Sequence, residues 1–367
     1  GGQPPPQPPT DEPLQFPGMI VRMAEPQNWE SPFAGWDFGA RRGPMPLYVR
    51  NHFPIPAIDP ETYRLRVEGL VETPLDLSVA DLQKMGKVNR QMTLECAGNG
   101  RVFLTPPVRG LQWGIGAVGT VYWTGIPLGA VLDRAKVKAG ATDVVLIGAD
   151  KGTVSADPPT PGPIHFDRGI PLAKARKDET LLAWGIRDEP LPARHGAPLR
   201  AVVGGWYGMA SVKWLTRIVV TDRPHDGYWQ TVDYALWDRQ AGQPRMVPVT
   251  AMQPKAVITT LADGGVVRAG KRVAVEGFAW AGENAVAKVE FSPDGGKAWA
   301  EAKLVWKPEA FNWTMWRAEW AVPDRRGPAK VLARCTDDKG NTQPDRRDPD
   351  RRTYMINHLV PVEVTVV

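Results

Sequence analysis

Beyond about residue 254, apolar and polar positions alternate with period two. Trp316, Ala318, Trp320 and Val322 alternate with Arg317 and Glu319; Val331, Ala333 and Cys335 with Lys330 and Arg334; Val362, Val364 and Val366 with Glu363 and Thr365. Successive strand side chains point to opposite faces, so this pattern predicts half-buried strands. Asp294-Gly295-Gly296, between Phe291 and Trp299, predicts a hairpin turn. Short strands with turn signals roughly every 8–12 residues predict an immunoglobulin-like β-sandwich over residues 250–367.

Residues 19–249 follow another pattern. Strand-like runs occur at Tyr63–Val67, Met92–Cys96, Val144–Gly148, Arg200–Val203 and Val212–Val220. Ser78 predicts the amino cap of a short helix ending at Met85, with Asp81 in its first turn and Gly86 as its stop. A second helix is expected from Leu128 to about Ala135, after Pro127. Strands and long helices do not alternate regularly, so the expected fold is an irregular mixed α+β domain rather than a doubly wound sheet. Residues 1–13 contain six prolines and almost nothing apolar, which predicts an extended Pro-rich leader over residues 1–18. That leader, with no initiating methionine, predicts a processed, exported chain, periplasmic in a bacterium; cytoplasmic residence is the alternative.

Composition narrows the function classes. The 367 residues include 37 glycines and 37 prolines, about a fifth of the chain, without the Gly-X-Y period of collagen. Two distant cysteines, Cys96 and Cys335, cannot build a disulfide framework. No apolar run approaches the roughly 18 residues of a membrane span. The net charge of +5 is spread along the chain with no basic run, which argues against nucleic acid and leaves room for a pocket that takes a small anion.

Most motif readings fail on context. Gly114-Ile115-Gly116-Ala117-Val118-Gly119 matches a dinucleotide fingerprint as a string, but lacks the surrounding strand–turn–helix and the acidic residue about 20 positions on. The five histidines show no metal-ligand spacing, and no haem attachment motif is present. Cys96 stands apart. A cysteine ending a strand is ordinarily a small buried hydrophobe. Here it opens Cys96-Ala97-Gly98-Asn99-Gly100-Arg101, where two glycines allow a tight turn and an arginine favours thiolate.

That segment resembles the molybdenum-binding loop of the sulfite oxidase family. Four further stretches agree in order: Tyr48-Val49-Arg50-Asn51-His52, Arg109-Gly110-Leu111-Gln112-Trp113-Gly114, His195-Gly196-Ala197-Pro198-Leu199-Arg200 and Val212-Lys213-Trp214. Gly277-Phe278-Ala279-Trp280, Asp294-Gly295-Gly296 and Gln343-Pro344-Asp345 look like that family's dimerisation domain. The resemblance covers about residues 45–367 and points to the bacterial, haem-free branch.

It implies one molybdopterin per chain, with Cys96 as the protein thiolate on molybdenum and Cys335 as core. It places Tyr48, Val49, Arg50, Asn51, His52, Asp150, His195, Arg200, Ser211, Val212 and Lys213 on the cofactor, with Arg200 and Lys213 rising from buried strands. Arg50, Arg101, Arg109 and Arg352 form the implied basic pocket, with Tyr234 as hydroxyl donor; a one-residue shift would nominate Arg351 instead of Arg352. Arg109 stands where animal enzymes have lysine, and Gly100 replaces a second arginine of the cysteine loop.

The implied reaction is oxygen-atom transfer that turns sulfite into sulfate, with electrons leaving to an external acceptor such as a cytochrome c, in a homodimer. Sulfane-sulfur or thiosulfate oxidation, or nitrate or sulfoxide reduction, on the same scaffold are the alternatives. A non-catalytic binding module is the reading from another class.

Overall fold

The computed structural model describes residues 18–33, 46–240 and 242–367; the Pro-rich leader expected over residues 1–18 falls almost wholly outside them. The chain forms two compact units. Among the described residues, one comprises 18–29, 49–91, 121–240 and 242–250; the other comprises 30–33, 46–48, 92–120 and 251–367. The last exchange between units falls at Thr250 and Ala251, but the second unit also gathers the segment carrying Cys96.

The first unit is mostly sheet, with short helices at Val79–Met85, Leu128–Ala135 and Leu172–Ala175. One sheet runs in the order Leu75–Leu77, Leu65–Gly69, Leu215–Thr221, Asp143–Gly152, Ile164–Pro171. Its Leu65–Gly69 and Leu215–Thr221 strands are parallel, with Ile218 opposite Val67. Elsewhere Thr180–Ile186 pairs antiparallel with both Trp123–Pro127 and Arg200–Val203. Residues Thr180–Gly185 are all buried. A strand covered on both faces reads as a continuous apolar run, and so escapes a search for alternation.

The helices are short. In Val79–Met85, the Ser78 Oγ accepts from the Asp81 amide at 3.1 Å and the Asp81 carboxylate accepts from the Ser78 amide at 3.1 Å. Ser78 is the cap that the sequence predicts, and the return bond from its amide to Asp81 makes the cap reciprocal. Leu128–Ala135 buries Leu128, Val131, Leu132 and Ala135, the i, i+3, i+4, i+7 stripe of a helix lying on a core.

In the second unit, one sheet has the order Lys255–Ile258, Arg272–Trp280, Thr314–Ala321, Lys303–Leu304. The other has the order Gly265–Val267, Val362–Val366, Gly327–Asp337, Val286–Ser292, Ala300–Glu301. Both contribute to one apolar core, which includes Val275, Trp316 and Trp320 from the first and Val289, Phe291, Val331, Cys335, Val364 and Val366 from the second. Trp316 and Trp320 are buried while Arg317 and Glu319 are exposed, as period two requires. The turn at Asp294-Gly295-Gly296 joins Val286–Ser292 to Ala300–Glu301, and Asp294 Oδ1 accepts from the Lys297 and Ala298 amides at 3.0 and 2.9 Å. Among the described residues no helix is long and apolar enough to cross a membrane.

Candidate functional site

Each unit assembles its own group of candidate residues. In the second, the strand Val88–Glu95 delivers Cys96 directly into a turn. The Cys96 amide donates to Ala117 O at 2.8 Å, the Asn99 amide to Cys96 O at 2.9 Å, and the Arg101 amide to Gly98 O at 3.0 Å. Asn99 also accepts from the Ala117 amide through Oδ1 at 3.0 Å. The reversal needs Gly100 at φ 92°, a left-handed conformation that costs glycine little. Cys96 is thus held buried at the edge of a backbone loop closed on itself by hydrogen bonds.

Arg101 lies against that turn. A Cβ on Gly98 would come within 2.4 Å of Arg101 Nη2, so glycine alone leaves room for the guanidinium. Arg101 Nη1 donates to Leu111 O at 2.8 Å and Nε to Thr353 O at 3.2 Å, and the group sits 5.4 Å from the Tyr354 ring centroid. Its carbonyl partners therefore belong to the segments that carry Arg109, which is exposed, and Arg352, which is half-buried with φ 55°. Arg351 is engaged otherwise: Nη1 donates to Asn357 Oδ1 at 2.5 Å and Nε pairs with Asp348 at 3.7 Å. Tyr48 is buried with its ring edge-on to Trp113.

The first unit gathers the remaining candidates. Val49 and Arg50 pair with Trp29 and Asn28 across a two-strand ladder, and the Asn28 side chain accepts from the Asn51 amide at 2.9 Å. Arg50 Nη1 donates to Asn28 Oδ1 at 3.3 Å and also bonds Asn51 O. His52 stacks on Phe166 at 4.4 Å, and its Nε2 lies 2.7 Å from Tyr234 Oη. Burial, then the charges of Arg50 and Lys213, hold the His52 imidazole neutral well below its ordinary range.

Arg200, on the strand Arg200–Val203, donates to the carbonyls of Ala201, His195 and Ser211 at 3.2, 3.0 and 3.1 Å, and lies 4.9 Å above the Trp123 ring. Ser211 Oγ accepts from the Val203 amide at 3.0 Å, fixing the buried Ser211-Val212 pair. Lys213 does not arise from a strand, contrary to the sequence reading: Val212-Lys213-Trp214 precede Leu215–Thr221, with Trp214 at φ 48°. The left-handed Trp214 breaks the extended run, and the freed Lys213 Nζ bonds Asn51 Oδ1 and donates to Arg194 O at 2.8 Å. Burial and the nearby Arg200 lower the Lys213 pKa, while burial pushes the Asp150 carboxyl up to about 7 against the opposing charge of Lys213. His195 is likewise held neutral, first by burial and then by Lys213, Arg200 and Arg194.

Two buried polar atoms in this group, Asn51 Nδ2 and Asp150 Oδ1, have no partner among the described residues. A buried donor and a buried acceptor left open cost free energy unless a ligand satisfies them. Beside cationic Lys213 and Arg200, they fit a polar heterocycle that carries an anionic phosphate.

Sequence reasoning passed over several contributors. Glu30 accepts from the Gly114 and Gly116 amides at 3.0 and 2.8 Å, so the glycine-rich string cradles a carboxylate of its own chain. Arg194, buried, lies 5.8 Å from the Trp29 ring. Fully buried Arg168 donates to Trp229 O at 3.0 Å and also to Val249 O, clamping the backbone on both sides of Tyr234, whose amide donates to Trp229 O at 3.2 Å. Such roles depend on chain-distant amides, rings and carbonyls and leave no local sequence signal.

Comparison with known proteins agrees with this chemistry. Residues 52–229 match the oxidoreductase molybdopterin binding domain, and residues 247–366 match the Mo-co oxidoreductase dimerisation domain. Mitochondrial sulfite oxidase of Mus musculus is 33% identical over 97% of this chain, which spans 67% of the mouse protein. Sulfite oxidase of Arabidopsis thaliana is 30% identical over 92% of this chain and 90% of its own length. The crystal structure of the sulfane dehydrogenase SoxCD from Paracoccus pantotrophus superposes with a TM-score of 0.77 at 26% identity, covering 91% of this chain and 83% of that one. The chain is a molybdopterin-dependent oxidoreductase and belongs to the sulfite oxidase family.

Proposed function

We propose that this protein oxidises sulfite to sulfate and passes the electrons to an external acceptor such as a cytochrome c. The observation that carries the reading is the Tyr234 hydroxyl held 2.7 Å from a neutral His52, two residues from Arg50. A phenol fixed by an uncharged partner in a cationic setting is a donor for an anion oxygen. Bound molybdopterin supplies a metal centre that accepts two electrons and exchanges an oxygen atom.

Within this reading, Cys96 gives that metal its protein thiolate, and the hydrogen-bonded turn keeps the sulfur in one orientation. Asn51, Asp150, His195, Arg200, Ser211 and Lys213 hold the pterin edge and phosphate, with Tyr48, Val49 and Val212 supplying backbone and packing around them. Arg50, Arg101, Arg109 and Arg352 offset the cost of desolvating a dianion and stabilise its charge as it redistributes. Tyr234 orients one substrate oxygen. Residues 19–249 act as the catalytic domain, and residues 250–367, read as an immunoglobulin-like sandwich, join two copies in a homodimer. Periplasmic residence suits an external carrier.

Sulfane sulfur is the second reading, favoured by the likeness to the sulfane dehydrogenase. A substrate panel of sulfite, thiosulfate, nitrate and dimethyl sulfoxide on the holoenzyme tests both. Ferricyanide and cytochrome c serve as acceptors for the oxidations, and a reduced viologen dye as donor for the reductions. Sulfite is expected to give the highest kcat/KM with both acceptors. A preference for thiosulfate moves the assignment to sulfane oxidation, and turnover of none removes it.

A further inference from the structure

The residue that opens the first strand of the four-stranded sheet, Lys255, lies directly opposite Trp280 in the antiparallel ladder Lys255–Ile258/Arg272–Trp280. Directly paired residues project from the same face of a sheet. Both side chains end on one carboxylate: Lys255 Nζ donates to Glu95 Oε1 at 3.0 Å, and Trp280 Nε1 donates to Glu95 Oε2 at 2.9 Å. Glu95 is the residue before Cys96. Lys255 Nζ also donates to Asn99 O at 3.0 Å, three residues after Cys96, while Asn99 Nδ2 donates to Glu95 Oε1 at 3.1 Å. One ammonium therefore bridges both ends of the Cys96-Ala97-Gly98 turn.

The pair is buried, with 8% of the Lys255 side chain and 2% of the Glu95 side chain exposed. A buried ion pair is weak evidence for stability, because desolvation of both charges offsets their attraction. What it fixes is geometry. Both Glu95 oxygens are occupied, Asn99 is held through its carbonyl and its amide, and Asn99 Oδ1 in turn takes the Ala117 amide, whose carbonyl accepts from Cys96 N. The circuit runs from both ends of the turn back to the Cys96 amide.

Position 100 supplies the second, independent observation. Here a Cβ at that position would lie 3.5 Å from Lys255 Nζ and 3.2 Å from Ile356 Cγ2, on a backbone with φ +92°. The space beside the turn is already taken by a cation delivered from another strand.

We propose that Lys255 is a positioning residue for Cys96, bracing the turn through Glu95 and Asn99 with a cation delivered from a separate strand. The proposal rests on the reading of Cys96 as the molybdenum ligand. The test compares Lys255→Met, Lys255→Arg, Glu95→Gln and Cys96→Ser holoenzymes by molybdenum content, EPR spectrum of the one-electron-reduced enzyme, thermal stability and sulfite kinetics. Lys255→Met is expected to retain molybdenum, shift the EPR g-values and lower kcat about tenfold or more with little change in KM. Lys255→Arg should recover most of the spectrum and rate. Glu95→Gln should reproduce the spectral shift, and it carries the test if Lys255→Met fails to fold. Wild-type EPR and kcat in Lys255→Met, even with a lower Tm, would overturn the proposal. If Cys96→Ser itself leaves the spectrum unchanged, the ligand reading fails instead.

Discussion

Arg351 and Arg352 are neighbours in a loop that reads, as sequence, like a solvated run of charge, and their surroundings separate them. Arg351 is committed to Asn357 and Asp348, whereas the backbone turns at Arg352 into a left-handed φ of 55° just before Thr353, whose carbonyl holds Arg101. Arg352→Met is therefore expected to raise the sulfite KM about tenfold, the loss of roughly one charge-assisted contact of about 1.4 kcal/mol. Arg351→Met should instead lower thermal stability by roughly 1 kcal/mol and leave KM near wild type. Equal effects of both on KM would return the assignment to ambiguity. Cys96→Ser is expected to abolish sulfite turnover while circular dichroism and pterin content stay near wild type; retained oxidation would remove Cys96 from the metal. Cys96 stands out in the sequence because it opens a glycine-rich turn followed by an arginine. Glu95, Lys255 and Arg168 do not stand out, since each acts through a partner group far away in the chain.

Elements explain why the cysteine loop works as a unit. The strand Val88–Glu95 ends in four buried residues, so the turn starts from a fixed point, and the 3-10 turn Arg101–Phe103 closes it. Gly98 is the narrow place. An alanine there would bring a methyl within 2.4 Å of Arg101 Nη2, and the guanidinium would have to leave its bonds to Leu111 and Thr353. Gly98→Ala is expected to lower stability by about 1–3 kcal/mol, measured by denaturant titration, and to raise the sulfite KM; an unchanged KM would show that Arg101 does not face the anion. At this scale the sequence predicted the capped helix Val79–Met85 and the strand Arg200–Val203 in place. It misjudged Val212–Val220, because apolar residues alone do not reveal that Trp214 turns left-handed and releases Lys213 from the strand.

Across the molecule, alternation exposed the strands of the second unit, while fully buried strands such as Thr180–Ile186 hid the amount of sheet in the first. Nor could local pattern reveal that residues 92–120 pack with the unit formed by residues 251–367. Three histidines, one of them in that second unit, give the fold a common response to acid. His52, His195 and His358 are all held below their ordinary range, chiefly by burial, and His358, with Arg347 and Lys255 nearby, is pushed down to about 4. In the unfolded chain a histidine takes its proton near pH 6.5, so below that the unfolded state binds more protons than the folded one. Stability is then complete above about pH 6.5 and falls as the pH drops toward 4, in a chain whose net charge of +5 already opposes further protonation. His358 lies outside the proposed catalytic set, so it isolates one share of this response. The Tm of the holoenzyme is expected to decline between pH 6.5 and 4.5, and His358→Gln should decline less over the same interval. Parallel Tm curves for the two proteins would show that His358 gains its proton as readily in the folded chain as in the unfolded one.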